Sequence, residues 1–250
     1  MPPADGESYS PPIKGAESLP KATVDKAGLN QDAVLPFELR LSDIENAMQD
    51  VYDFFHDVNS MLLAKGLQRL DDMTRPAAMS GMISDMITGS LARFSRSLVP
   101  NTHFNGHPDL VVRGRYPNNA VAEGTDGVEI KSTRKEGGAV DTHGARNQWM
   151  CVFVYEVDVT TEPASDRRPM QFTEVYLGQV VEDDFRRNKR NTDKGTRTAT
   201  LHKEGIAKLR GSWLYKTESM AQKERARKAA EREAARAAAR AAKAAKPKKK

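Results

Sequence analysis

Acidic, basic and imidazole side chains gather between positions 106 and 132. Gly106-His107-Pro108-Asp109-Leu110-Val111-Val112 is followed by Gly127-Val128-Glu129-Ile130-Lys131-Ser132. Both stretches contain short apolar β runs, and residues two apart in a strand point to the same face. Glu129 and Lys131 therefore project together while Val128 and Ile130 face a core, and Asp109 reaches the same patch if the two strands pair as a hairpin. Two carboxylates and an ammonium converging at a strand end suit a metal-assisted attack on a phosphate. The acids would hold one or two Mg²⁺ ions through hard oxygen ligands. The metal acidifies a water and neutralises phosphate charge, while the lysine orients the nucleophile and stabilises the transition state.

These residues need a scaffold, and the preceding sequence predicts helices. Ser42-Asp43-Ile44-Glu45 reads as a capping box, after which Ile44, Met48, Val51, Phe55, Val58 and Met61/Leu62 recur at helical spacing until Gly66. A second helix is expected from Pro76, with Met79, Met82/Ile83, Met86/Ile87, Leu91, Phe94 and Leu98 on its stripe and Pro100 as its stop. Beside that stripe run Gly81, Asp85, Thr88/Gly89 and Ala92, small enough for a backbone or sheet to approach, with one acid among them. After Pro100 the texture turns to strands at 110–112, 128–130, 149–157 and 172–181, the third apolar enough to be buried on both faces. A short helix start at 182–187, an edge strand at 196–201, a short helix at 206–209 and Trp213-Leu214-Tyr215 follow. Helices before a mixed sheet imply an α/β or α+β fold, with a central mixed β-sheet flanked by helices.

At Pro108-Asp109 and Glu129-Ile130-Lys131 the sequence resembles the PD-(D/E)XK nuclease superfamily, which includes many type II restriction endonucleases, phage exonucleases and repair nucleases. Twenty residues separate the two acids, and the likeness extends over about 77–157. The resemblance implies a restriction-endonuclease-like core, Asp109 and Glu129 as Mg²⁺ ligands, and Lys131 as the catalytic lysine. Many members add an acid from the helix before the PD strand, and Asp85 stands at that place, although the family more often has Glu there. Some relatives also place a polar residue near the metal or DNA where Gln148 opens the next strand. The activity implied is hydrolysis of phosphodiester bonds in double-stranded DNA by an endonuclease, often a homodimer that cuts both strands. An exonuclease or resolvase of the same superfamily and a non-catalytic, nucleoid-type DNA-binding protein are the alternatives.

Other chemistry-bearing residues invite weaker readings. His103 and His107 are spaced i, i+4, but Pro100, Asn101, Gly106 and Pro108 oppose the helix that would align them on a metal, so loop histidines that hydrogen-bond or touch phosphate are expected. His143 lies in a Gly-rich loop, 135–146, of the kind that approaches DNA in such folds. Cys151, the one cysteine, sits in an apolar strand without an evident partner and reads as a packing residue. Arg186, Arg187, Lys189, Arg190 and Arg197 form a basic cluster suited to phosphate contact.

Charge then divides the chain. The 250 residues carry a net +5, but residues 221–250 hold 12 Lys/Arg against three Glu, a net +9, which leaves −4 for the rest. This Ala-rich tail, including Arg236, Arg240 and Lys243, favours helix over 218–246 and would bind DNA phosphates without sequence preference. Residues 1–37 are rich in Pro, Gly, Ser and Asp and read as a disordered arm, leaving one nuclease-like domain over 38–217. A lone cysteine excludes a disulfide framework, and no run approaches about 18 apolar residues, so no membrane partner and a cytoplasmic location are expected.

Overall fold

The computed structural model describes residues 19–135, 140–187 and 198–244. It shows a mixed α/β fold whose six-stranded central sheet has the order β1-β2-β3-β5-β6-β9. These strands are β1 (Leu98–Pro100), β2 (Leu110–Val112), β3 (Gly127–Thr133), β5 (Gln148–Glu156), β6 (Gln171–Val180) and β9 (Trp213–Lys216). All neighbours pair antiparallel except β3 and β5, which run parallel. A second, antiparallel sheet has the order β4-β8-β7, from β4 (Asp141–Thr142), β7 (Phe185–Arg187) and β8 (Ala199–Leu201).

Helix α1 (Leu41–Ala64) forms on the expected apolar stripe, burying Ile44, Met48, Val51 and Phe55. Its cap lies slightly upstream of the expected box. Asp43, fully buried, accepts from the backbone N of Arg40 at 3.0 Å, and Glu45 pairs instead with Lys26. Gly66, at φ +71°, takes the left-handed turn that ends the helix. After the single turn α2 (Leu70–Met73), helix α3 (Pro76–Phe94) buries Met79, Ile83, Ile87 and Leu91. It ends earlier than its apolar pattern suggested. Ser95 turns extended, and Leu98-Val99-Pro100 becomes an edge strand, where the missing proline N–H costs no interior ladder bond.

The sheet buries both faces. On one face α1 and α3 pack over Val128, Ile130, Cys151 and Phe153. The other face, carrying Met150, Val152, Val154 and Tyr176, is covered by Phe185, Ala199 and Leu201 of the small sheet and Leu209 of α4 (Lys203–Gly211). Strand β5 is thus buried on both sides, as its continuous apolar run requires. Cys151 lies in that core, where burial pushes its thiol pKa up and removes its nucleophilicity.

Part of the segment expected to be a disordered arm, 1–37, packs on the domain instead. Ala22, Val24 and Leu29 are buried in the main core, and Leu29 bridges to Tyr215. Few apolar residues suffice here because each fills a gap in a core built by other elements, so no periodicity announces them. Residues 1–18 lie outside the described residues. At the other end α5 (Glu218–Ala244) is helical through Arg236, Arg240 and Lys243, anchored at its start by buried Met220. Among the described residues no helix is long and apolar enough to cross a membrane.

Candidate active site

Strands β2 and β3 do pair antiparallel, with Leu110 opposite Val128. Asp109 and Glu129 are the next residues outward along this pair, which brings the two acids side by side. Alternation along β3 sends Val128 and Ile130 into the α1/α3 core and turns Glu129 and Lys131 to the opposite face. Lys131 Nζ lies 2.5 Å from Glu129 Oε1 and 3.6 Å from Asp109 Oδ2. Asp109 Oδ2 also accepts from the backbone N of Ile130 at 2.7 Å, which locks the carboxylate against β3.

His107 completes the cluster. Its Nδ1 is 3.2 Å from Glu129 Oε2, and its ring centroid is 6.3 Å from that of His143, which follows β4. Both are loop residues, and His107 is the one that touches a carboxylate. Sequence spacing gave no sign that His107 holds Glu129, because that contact depends on the register between the 106–109 loop and β3.

The electrostatics distinguish the two acids. Glu129 is 1% exposed. Burial opposes its ionisation, but the His107 hydrogen bond and the Lys131 charge outweigh this and hold its pKa down to about 2. Asp109 shifts the other way: burial, then repulsion from Glu129, raises its pKa above the ordinary value despite Lys131. Burial disfavours the Lys131 charge, yet Glu129 and Asp109 raise its pKa overall, so it remains an ammonium. One fixed cation faces two carboxylates, and the site has room in its charge balance for another.

Gln148 opens β5 on the same face as Met150, the register partner of Glu129. Its side chain is buried, and neither its Nε2 nor its Oε1 has a hydrogen-bond partner. Leaving such an amide unpaired costs on the order of 1–3 kcal/mol per group. An amide held in this way on the sheet face of Glu129 is a ready partner for a ligand.

The remaining expected residues are placed differently. Asp85 is exposed on α3, the helix that packs on the face opposite Glu129 and Lys131, and the structure does not bring it to the pair. Gly81 and Gly89 of the small-residue row turn outward, since a Cβ at either would meet nothing within 4 Å, while Ala92 packs against the core. The row's residues were spaced for close packing, but the larger stripe beside them occupies the interface. Among the described residues no three His, Cys, Asp or Glu side chains form a group able to hold a metal, so the candidate donor set is the Asp109–Glu129 pair. Arg186 is exposed on β7, in the small sheet covering the same sheet face as the acids, and Arg187 continues that strand. Lys189, Arg190 and Arg197 lie outside the described residues.

No family model, curated protein or solved structure matches the chain.

Proposed function

We propose that this protein is a Mg²⁺-dependent endonuclease that hydrolyses phosphodiester bonds in double-stranded DNA, with a restriction-endonuclease-like core. The observation that carries the reading is the convergence of Asp109, Glu129 and Lys131 on one sheet face, with Lys131 Nζ 2.5 Å from one acid and 3.6 Å from the other.

The donor set suits Mg²⁺. That ion keeps several waters and is commonly bound through one or two carboxylates plus substrate phosphate, which is what Asp109 and Glu129 offer. Lys131 already lies as a cation beside both, and burial followed by repulsion from Glu129 raises the Asp109 pKa. When bound, the ion's contribution is to lower the pKa of a water and to neutralise charge on the phosphate. The chain's own residues do the rest. His107 and Ile130 N fix the two carboxylates, and Gln148 offers an unpaired amide on the same face. Lys131 acts through its charge, as an ammonium that orients the attacking water and stabilises the transition state, since its raised pKa makes it a poor base.

Substrate capture fits the charge division. Arg186 stands on the site side of the sheet, and the +9 tail supplies non-specific attraction to phosphates. The test is digestion of genomic and phage DNA with Mg²⁺. Discrete bands support a sequence-specific endonuclease, progressive loss from ends supports the exonuclease alternative, and intact DNA that is nevertheless bound supports a non-catalytic protein.

A further inference from the structure

Phe104 is 87% exposed, and it is the single exposed Phe, Tyr or Trp among the described residues. It stands at the tip of the loop joining β1 to the His107-Pro108-Asp109 segment, three residues before the histidine that touches Glu129. A phenylalanine in water forgoes the burial that normally justifies its presence.

This exposure does not come from a loose loop. The Asn101 side chain donates to Pro108 O at 3.0 Å and Val121 O at 2.8 Å, and accepts from His103 N and Val121 N at 3.1 Å. Gly106 N donates to His103 O at 3.0 Å, closing a turn with Phe104 and Asn105 at its tip. His107 N donates to Ala122 O at 3.0 Å. A Cβ at Gly106 would lie 2.4 Å from Val121 O, so the loop sits as close to its neighbour as backbone permits. The frame is rigid, and its tip presents an aromatic ring flanked by exposed His103 and Asn105.

We infer that Phe104 stacks on a nucleobase of the bound DNA beside the scissile phosphate, holding the strand in register with Asp109 and Glu129. The inference rests on the nuclease reading. A preorganised ring loses little entropy on binding, and a base offers it a flat apolar face. Aromatic wedges of this kind partly unstack a base step, and base–aromatic stacking is worth about 1–3 kcal/mol, or roughly five- to 150-fold in affinity.

Two substitutions in the full chain test this. Phe104→Ala should weaken binding of a short DNA duplex on the order of tenfold or more and slow cleavage, with an unchanged circular dichroism spectrum. Phe104→Trp should restore both and add a tryptophan whose emission is quenched by that duplex, measured against the background of Trp149 and Trp213 in the unsubstituted protein. Wild-type affinity and cleavage in Phe104→Ala, or an unquenched emission in Phe104→Trp, would overturn the inference while leaving the nuclease reading intact. A Phe104→Ala protein that loses only self-association, seen by sedimentation, would also overturn it by giving the ring to a protein interface. A native protein that neither binds nor cuts DNA would instead remove the nuclease reading on which the inference stands.

Discussion

Lys131 reaches Glu129, two residues earlier on the same strand, with Nζ 2.5 Å from Oε1, and this ion pair is almost wholly enclosed on the Glu129 side. The lysine is thus the resident counter-ion of a buried carboxylate as well as the proposed catalytic cation. Lys131→Ala should lower cleavage on the order of 10²–10³-fold, the usual cost of removing one preorganised charge-stabilising group. It should also lower the melting temperature of the metal-free protein, because a buried acid loses its partner. Single-turnover cleavage and calorimetry check the two effects, and an unchanged rate would remove Lys131 from the chemistry.

The two acids should respond oppositely to pH. Glu129 has a folded pKa of about 2 against an ordinary 4.5, so the stability it contributes is present above 4.5 and lost as pH falls toward 2. Asp109 has a folded pKa above its ordinary 3.8, so its ionisation costs stability as pH rises through that folded value. In the metal-free protein at neutral pH, Glu129→Gln should therefore destabilise and Asp109→Asn should stabilise, while both abolish cleavage. Urea midpoints for the three proteins across acid to neutral pH give the answer, and equal shifts of one sign would contradict this assignment.

Metal should stabilise the fold. A ligand that binds only the folded state at about 100 times its Kd adds about 2.7 kcal/mol, and for a chain of this size each kcal/mol raises the melting temperature by about 2–4 °C. A Mg²⁺ titration followed by calorimetry should show this rise in the native protein and lose it in Asp109→Ala and Glu129→Ala. A rise that persists in both variants would place the ion elsewhere.

The tail should set the salt response. Residues 221–250 carry 12 Lys/Arg, and each phosphate neutralised adds about 0.9 to the slope of log K against log salt. Deleting them should weaken DNA binding and flatten that slope by several units. An unchanged slope from anisotropy titrations would show that the folded body alone holds the DNA.

Much of this arrangement was legible in the sequence because it depends on local periodicity. The α1 stripe, the apolar run of β5 and the Glu129/Lys131 alternation each follow from the 3.6- and 2-residue repeats, and the structure forms all three. What escaped depends on contacts between distant segments. Val24 and Leu29 join the core singly, so composition marked their segment as an arm. Leu98 fits the helical stripe, but pairing with Val112 claims it for a strand. Asp85 has the right type in the right helix, yet the side of the sheet that receives α3 is set by Val128 and Ile130 and turns the acid away from Glu129. His107 and Gln148 acquire their places only from the register of the loop and of β5 against β3.

Cleavage of a supercoiled plasmid by the native protein and by Asp109→Ala, Glu129→Ala and Lys131→Ala, with binding to the same DNA measured in parallel, tests whether these residues cut DNA. The native protein should nick or linearise the plasmid with Mg²⁺ and not with EDTA, the two acid variants should bind DNA but leave it intact, and Lys131→Ala should bind it and cut on the order of 10²–10³-fold more slowly. Full cleavage by Asp109→Ala, or a native protein that binds the plasmid with Mg²⁺ and never cuts it, would contradict the nuclease assignment.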